Sequence, residues 1–162
     1  MPRRLHILLL RSAHAVRLRW WKWRKTVVRG CRVVVIDRDD RVLLIRHSYG
    51  NPRWMLPGGG MRRSESACAA AAREAREEAG VVIDAAVEID SVTRMAHGSG
   101  NAVTVVAGWS DDVPRPDGRE IVAAAFFALD ALPADCAPDL PELLPDYLRK
   151  AKAARSPPKH QA

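Results

Sequence analysis

The stretch Pro57-Gly58-Gly59-Gly60, followed after a short polar linker by Ser64-Glu65-Ser66-Ala67-Cys68-Ala69-Ala70-Ala71-Ala72-Arg73-Glu74-Ala75-Arg76-Glu77-Glu78-Ala79-Gly80, decides how the rest of the chain is read. The alanine-rich run predicts a helix over 64–79, with Ser64 at the N-cap and Gly80 as the C-terminal stop. On that helix Glu74, Glu77 and Glu78 lie three and four positions apart and project from one face. Like charges at this spacing cost about 0.2–0.5 kcal/mol per pair, and the helix dipole disfavours anions in the last turn by about 0.3–1 kcal/mol each. A second face, Cys68, Ala71, Ala72, Ala75 and Ala79, is small and apolar and suits close packing on a sheet. Two readings of the acidic face are open at this point: a solvated surface stitched by ion pairs such as Arg73–Glu77, or carboxylates gathered for a divalent cation. The three glycines likewise read either as a flexible turn that breaks regular structure or as backbone that must approach a ligand closely.

Outward from this stretch, the β-branched run over 31–37, a polar turn and the apolar run over 42–45 read as a hairpin. Residues 48–52 carry Gly, Asn and Pro and read as loop, and 54–56 as a short strand. Downstream, 81–83, 87–92, 102–109 and 121–129 read as strands, and 111–118 as a long loop. A last helix is expected over 139–154, with Pro141 in its first turn and Pro145 interrupting it. Strands, one central helix, more strands and a final helix predict an α/β fold, a mixed sheet sandwiched between helices.

The chain has 162 residues, enough for one domain with a substantial core. Its net charge of +7 is an average over two unlike parts. Residues 1–32 hold ten of the 26 Lys and Arg and no acid, so the remainder, with 16 basic and 19 acidic side chains, carries −3. The basic character belongs to an arm, and it is weak evidence for a nucleic-acid-binding fold. Cys31, Cys68 and Cys136 are distant and odd in number, which argues against a disulfide scaffold or a CxxC metal site. No apolar run approaches the ~20 residues needed to span a bilayer, and the short run over 5–10 lacks a cleavage site, so a cytoplasmic protein is expected.

The central stretch resembles the Nudix signature, G-x₅-E-x₇-R-E-U-x-E-E-x-G-U, where U is a bulky aliphatic residue. Here it is matched by Gly59, Glu65, Arg73, Glu74, Glu77, Glu78, Gly80 and Val81, with both spacers of the right length. Ala75 departs from it, which bears on packing behind the helix. A looser likeness runs from about Thr26 to Pro133. The resemblance implies a Nudix α/β/α sandwich and hydrolysis of a nucleoside diphosphate linked to another moiety, with Mg²⁺, or alternatively Mn²⁺, as cofactor. It further implies Glu77 and Glu78 as metal ligands and Glu74 as a further ligand or the water-activating base. The Gly58 carbonyl is an additional ligand on this reading, and Glu65 and Arg73 brace loop against helix. Glu120, in a loop before a strand, is read either as a base or metal ligand or as an ordinary surface carboxylate. Phosphate neutralisation and water positioning are what phosphoanhydride cleavage demands, and carboxylate oxygens suit Mg²⁺.

Substrate-contact candidates are Arg46, Gly59 and Gly60, with Arg46 also readable as an exposed strand-end arginine. Trp54 is read either as a base-stacking platform or as a core side chain, and His97 as a loop residue. The expected organisation is a basic amphipathic arm over 1–25, a hydrolase domain over 26–155 and a polar tail over 156–162. In the arm, Leu5, Leu8, Leu9, Ala13, Val16, Trp20 and Trp23 form one stripe among cations. That stripe suits docking on the body, a homodimer contact, or peripheral contact of residues 5–25 with an anionic membrane, and a nucleic-acid partner is disfavoured. The rival to an enzyme is a non-catalytic module of the same fold that senses a nucleotide, or one that associates with RNA or membrane through the arm.

Overall fold

The computed structural model describes residues 28–96 and 99–155. The arm expected over 1–25, the tail over 156–162 and the loop residue His97 lie outside the described residues.

Strand β1 (Val28–Ile36) organises the sheet. It runs parallel to β6 (Ser99–Trp109) along its whole length, from Val28↔Asn101 to Ile36↔Trp109. Its other edge is shared. Strand β2 (Val42–His47) meets it at Ile36↔Val42, while β4 (Gly58–Gly60) lies antiparallel against Gly30, Cys31 and Arg32. Strand β2 diverges from β1 and pairs with β3 (Trp54–Met55) on one edge and β7 (Ile121–Phe127) on the other. Strand β5 (Asp84–Ala96) closes the far edge antiparallel to β6. The result is one seven-stranded mixed sheet, the α/β architecture expected from the order of elements.

The sheet is covered on both faces, which explains the uninterrupted apolar run in β1. Val34 and Ile36 point, with Leu44, Val105 and Trp109, toward helix α2 (Leu140–Arg155) and its Leu144, Tyr147, Leu148 and Ala151. Val33 and Val35 point, with Leu43, Ile45 and Val106, toward helix α1 (Ala67–Ala79). Among the described residues no helix is long and apolar enough to cross a membrane.

Three local expectations need correction. Helix α1 begins at Ala67, with Ser66 as its N-cap accepting from the Ala69 N–H at 3.1 Å. Ser64 sits before it at φ 67°, in a turn closed by the Glu65 N–H on the Arg62 carbonyl at 3.1 Å. The glycines do not break regular structure: Gly58–Gly60 is itself a strand, because β2 leaves the β1 edge open there. Residues 81–83 pair with no strand. Val81 is buried under α1, the Val82 N–H donates to Asp112 at 2.9 Å, and Ile83 covers Gly108, where a Cβ would come within 2.8 Å of it. At the other end Gly80 adopts the left-handed conformation (φ 67°) and ends the helix as expected.

The fully buried residues by which helix α1 approaches the sheet are all alanine, with Cys68 packed beside them against β5. Ala67, Ala70, Ala71, Ala75 and Ala79 are its buried residues, and Ala75 is 0% exposed. The small residue at 75 therefore sits in a closed contact rather than over a void. An Ala75→Leu substitution is expected to overpack this contact and destabilise the protein by about 1–3 kcal/mol, read as a lower urea midpoint at unchanged slope. A raised midpoint would show that the helix has room behind it.

Candidate active site

Strand β4 brings bare backbone between β1 and the acidic face of α1. At Gly58 (φ 154°) a Cβ would lie 2.3 Å from the Cys31 carbonyl oxygen, and at Gly59 it would lie 2.4 Å from Oε1 of Glu74. Side chains are thus excluded from both sides of this strand, and the helix carboxylates come up to the main chain itself. The Gly58 N–H donates to Oε2 of Glu78 at 2.9 Å. Gly60 has open space where a side chain would stand.

Arg73 ties the loop to the helix. Its Nε and Nη2 donate to the two oxygens of Glu65, at 2.9 and 3.0 Å, a bidentate pair. Nη2 also donates to the Gly60 carbonyl at 3.0 Å, and Nη1 to Glu74 at 2.7 Å and Glu77 at 3.2 Å. The Arg73 side chain is 16% exposed, so this is no solvated charged surface, although the anticipated Arg73–Glu77 pair is part of it. Glu65 also accepts from the Arg62 N–H at 2.8 Å. Arg73 and then that N–H hold the Glu65 carboxyl down to about 2.

Glu78 has the opposite environment. Burial is the main cause that pushes its carboxyl up to about 8; the Gly58 N–H offsets part of this, and the charges of Glu74, Glu120 and Glu77 add to it. Glu74 is slightly more enclosed than Arg73, whereas half of the Glu77 side chain faces solvent. All three line one open cleft of about 650 Å³, with Gly58, Gly59 and Gly60 on the same wall. Among the described residues no group of three or more His, Cys, Asp or Glu is gathered as a metal-binding cluster. In this arrangement the Arg73 guanidinium compensates Glu74 and Glu77.

The opposite wall of the cleft includes Tyr49, Asn51, Asp117 and Glu120. The expected residues Glu65, Glu74, Glu77, Glu78, Gly58, Gly59, Gly60, Arg73 and Glu120 are therefore brought to one place. Arg46 is not. It follows Ile45, which faces α1, so alternation turns it to the α2 side. There it pairs with Asp135 and its guanidinium stacks 4.9 Å from the centre of the Trp54 ring. Trp54 packs edge-on against Phe127 at 5.0 Å, away from the cleft. Tyr49 and Asp117 were not expected from sequence. The Asp-Gly pair at 117–118 was the available signal for Asp117, whose Oδ1 accepts from the N–H groups of Arg119, Glu120 and Ile121. Nothing in the loop over 48–52 singled out Tyr49.

Comparison with known proteins accords with this geometry. The model of the NUDIX domain matches residues 26–147. The human "Diphosphoinositol polyphosphate phosphohydrolase 3-alpha" is 51% identical over 52 residues, 32% of this chain and 32% of that protein. The chain thus matches about a third of the length of the curated relatives. Among solved structures, a MutT NUDIX hydrolase from Burkholderia pseudomallei superposes with a TM-score of 0.63 at 28% identity, covering 74% of this chain and 96% of that one. A UDP-X diphosphatase superposes at 0.65 with 19% identity, over 80% of this chain and 65% of that one, a likeness of fold.

The Glu78 environment has a measurable consequence. Its folded value of about 8 lies above the ordinary 4.5, so between these values the folded state retains a proton that the unfolded state releases. Stability of the metal-free protein should therefore fall as pH rises through this window, by an amount on the order of a few kcal/mol, complete above about pH 8. Glu78→Gln removes this dependence. In chelator, urea midpoints of the parent at pH 5.5 and 8.5 should differ more than those of the variant, and the variant should be the more stable at pH 8.5. Equal pH dependence in the two proteins would contradict the assigned burial.

Proposed function

The chain belongs to the NUDIX family, and we propose that it is a divalent-cation-dependent hydrolase that cleaves the phosphoanhydride bond of a nucleoside diphosphate joined to another group. The observation that carries this reading is the half-buried Glu78 carboxyl on the Gly58 N–H, flanked by Glu74 and Glu77 in an open cleft. A lone anion is costly in such a position, and the neighbouring carboxylates make it costlier. Oxygen-only donors, crowded negative charge and a glycine wall fit Mg²⁺ or Mn²⁺.

Glu77 and Glu78 are the proposed ligands, with the Gly58 carbonyl beside them and Glu74 as a further ligand or base. Bound there, such a cation supplies neutralisation of the diphosphate and a more acidic water. The chain's own groups do the rest. Arg73 and Glu65 fix the position of β4 relative to α1. Open space at Gly60 admits a phosphate against main chain, with Gly59 next to it. Glu120, on the opposite wall, is suited to take a proton from the attacking water. Glu74 offers the same capacity from the helix side, and which of the two does so follows from their separate substitution.

Two observations bear on the substrate. Among the described residues the cleft is lined by two arginines, Arg62 and Arg73, which suits a short diphosphate bridge. Against this, the human relative is named for diphosphoinositol polyphosphates, which favours including that class. The test is a panel of nucleotide sugars, dinucleoside polyphosphates, nucleoside triphosphates and a diphosphoinositol polyphosphate, with Mg²⁺ and product identification. Turnover of at least one class, abolished by chelator, is the expected result. Glu78→Gln should lower kcat by about 100-fold or more with the fold retained by circular dichroism. Normal Mg²⁺-dependent turnover in that variant would remove the site assignment, and binding without turnover across the panel would favour a sensing module.

A further inference from the structure

The loop after β2 and the loop before β7 are clamped to one another at the mouth of the cleft. The Ser48 N–H donates to the Glu120 carbonyl at 2.8 Å, and the Ser48 hydroxyl to the Arg119 carbonyl at 2.6 Å. Asp117 gathers the N–H groups of the three residues that follow Gly118, so the main chain of Glu120 is fixed from both sides. Its side chain is another matter. Glu120 is solvent-exposed, and a free glutamate on a loop samples many rotamers. One contact restrains it: the Tyr49 hydroxyl donates to Oε1 of Glu120. Tyr49 reaches that position by alternation: Ile45 faces α1 and Arg46 faces α2, and His47 and Tyr49, at two-residue steps from Ile45, both line the cleft. The register shift opposite them lies in β7, where Val122 is the extra residue and Ile121 is turned to the α1 side before Glu120.

We infer that Tyr49 is a positioning residue: its phenol holds the Glu120 carboxylate over the cleft, opposite the helix glutamates, and leaves Oε2 for the attacking water. This rests on the reading of Glu120 as a base in the proposed hydrolysis. The phenol takes one oxygen and fixes the carboxyl plane, so a conformer that is otherwise one of many is present before substrate arrives. The charge of Glu120 is felt at Glu78, as expected for two groups that share the cleft. The Tyr49 hydroxyl donates to Glu120, so loss of that hydroxyl should be read first at the Glu120 side chain.

The test is a double-mutant cycle on the best substrate of the panel, with a structure beside it. Tyr49→Phe should lower kcat about tenfold and leave KM within about twofold. In a Glu120→Gln background the same substitution should cause no further loss. Independent, multiplying losses, an unchanged kcat, or a rise in KM alone would each overturn the inference. A crystal structure of Tyr49→Phe reads the geometry without any turnover: a Glu120 side chain turned out of the cleft supports the inference, and one left in place overturns it. Absence of turnover in the parent would instead count against the proposed hydrolysis, and the variant's structure would still decide whether Tyr49 positions Glu120.

Discussion

The site depends on a three-residue strand with no side chains. Strand β2 leaves β1 after one pair, and the vacated edge has backbone donors and acceptors that must be satisfied. Gly58–Gly60 satisfies them, and the Pro57 carbonyl adds a bond to the Val33 N–H at 2.9 Å. Because the strand is glycine throughout, α1 can lay its carboxylates directly on it. A single methyl at Gly59 would collide with Glu74, and one at Gly58 with β1. The same constraint makes α1 an alanine helix, since only a small face lets it lie so close to the sheet.

Around this strand the charges are arranged in two unlike ways. Glu65, Glu74 and Glu77 all pair with the Arg73 guanidinium, Glu77 with Arg62 as well, and the Glu65–Arg73 pair joins the loop to the helix eight residues on. Glu78, next in sequence to Glu77, accepts from the Gly58 N–H and is half-buried. Its carboxylate form is destabilising to the empty protein, which is the usual character of a group kept for binding or chemistry rather than for folding.

Much of this was legible in the sequence because it is local. Helical spacing put the three glutamates on one face and paired Arg73 with Glu77, and the helix stop at Gly80 follows from residue type. The layered architecture followed from the order of apolar runs, and the four-valine-like run in β1 reads as a strand buried twice. Other features were not local. The glycines read as a break because their strand partner, β1, is almost thirty residues upstream, and nothing nearby signals that its edge is vacant. The two readings of Arg46 stayed open in the sequence because its orientation depends on strand parity and its partner Asp135 is 89 residues away. Tyr49 and Glu120, 71 residues apart, meet only once β2 has paired with β7.

The parallel pairing of β1 with β6 also sets an order of assembly. Its partners are separated by about 70 residues, so closing that ladder carries a large loss of chain freedom before any reward. By contrast, β1, β4 and α1 lie within residues 28–79, so the half of the cleft built from the glycine strand and the helix carboxylates draws on nearer neighbours in sequence. The wall that carries Glu120 joins through the β2–β7 ladder, across about 80 residues. The two walls of the cleft thus rest on chain closures of unequal length, and the pairing of β2 with β7 is what brings them face to face.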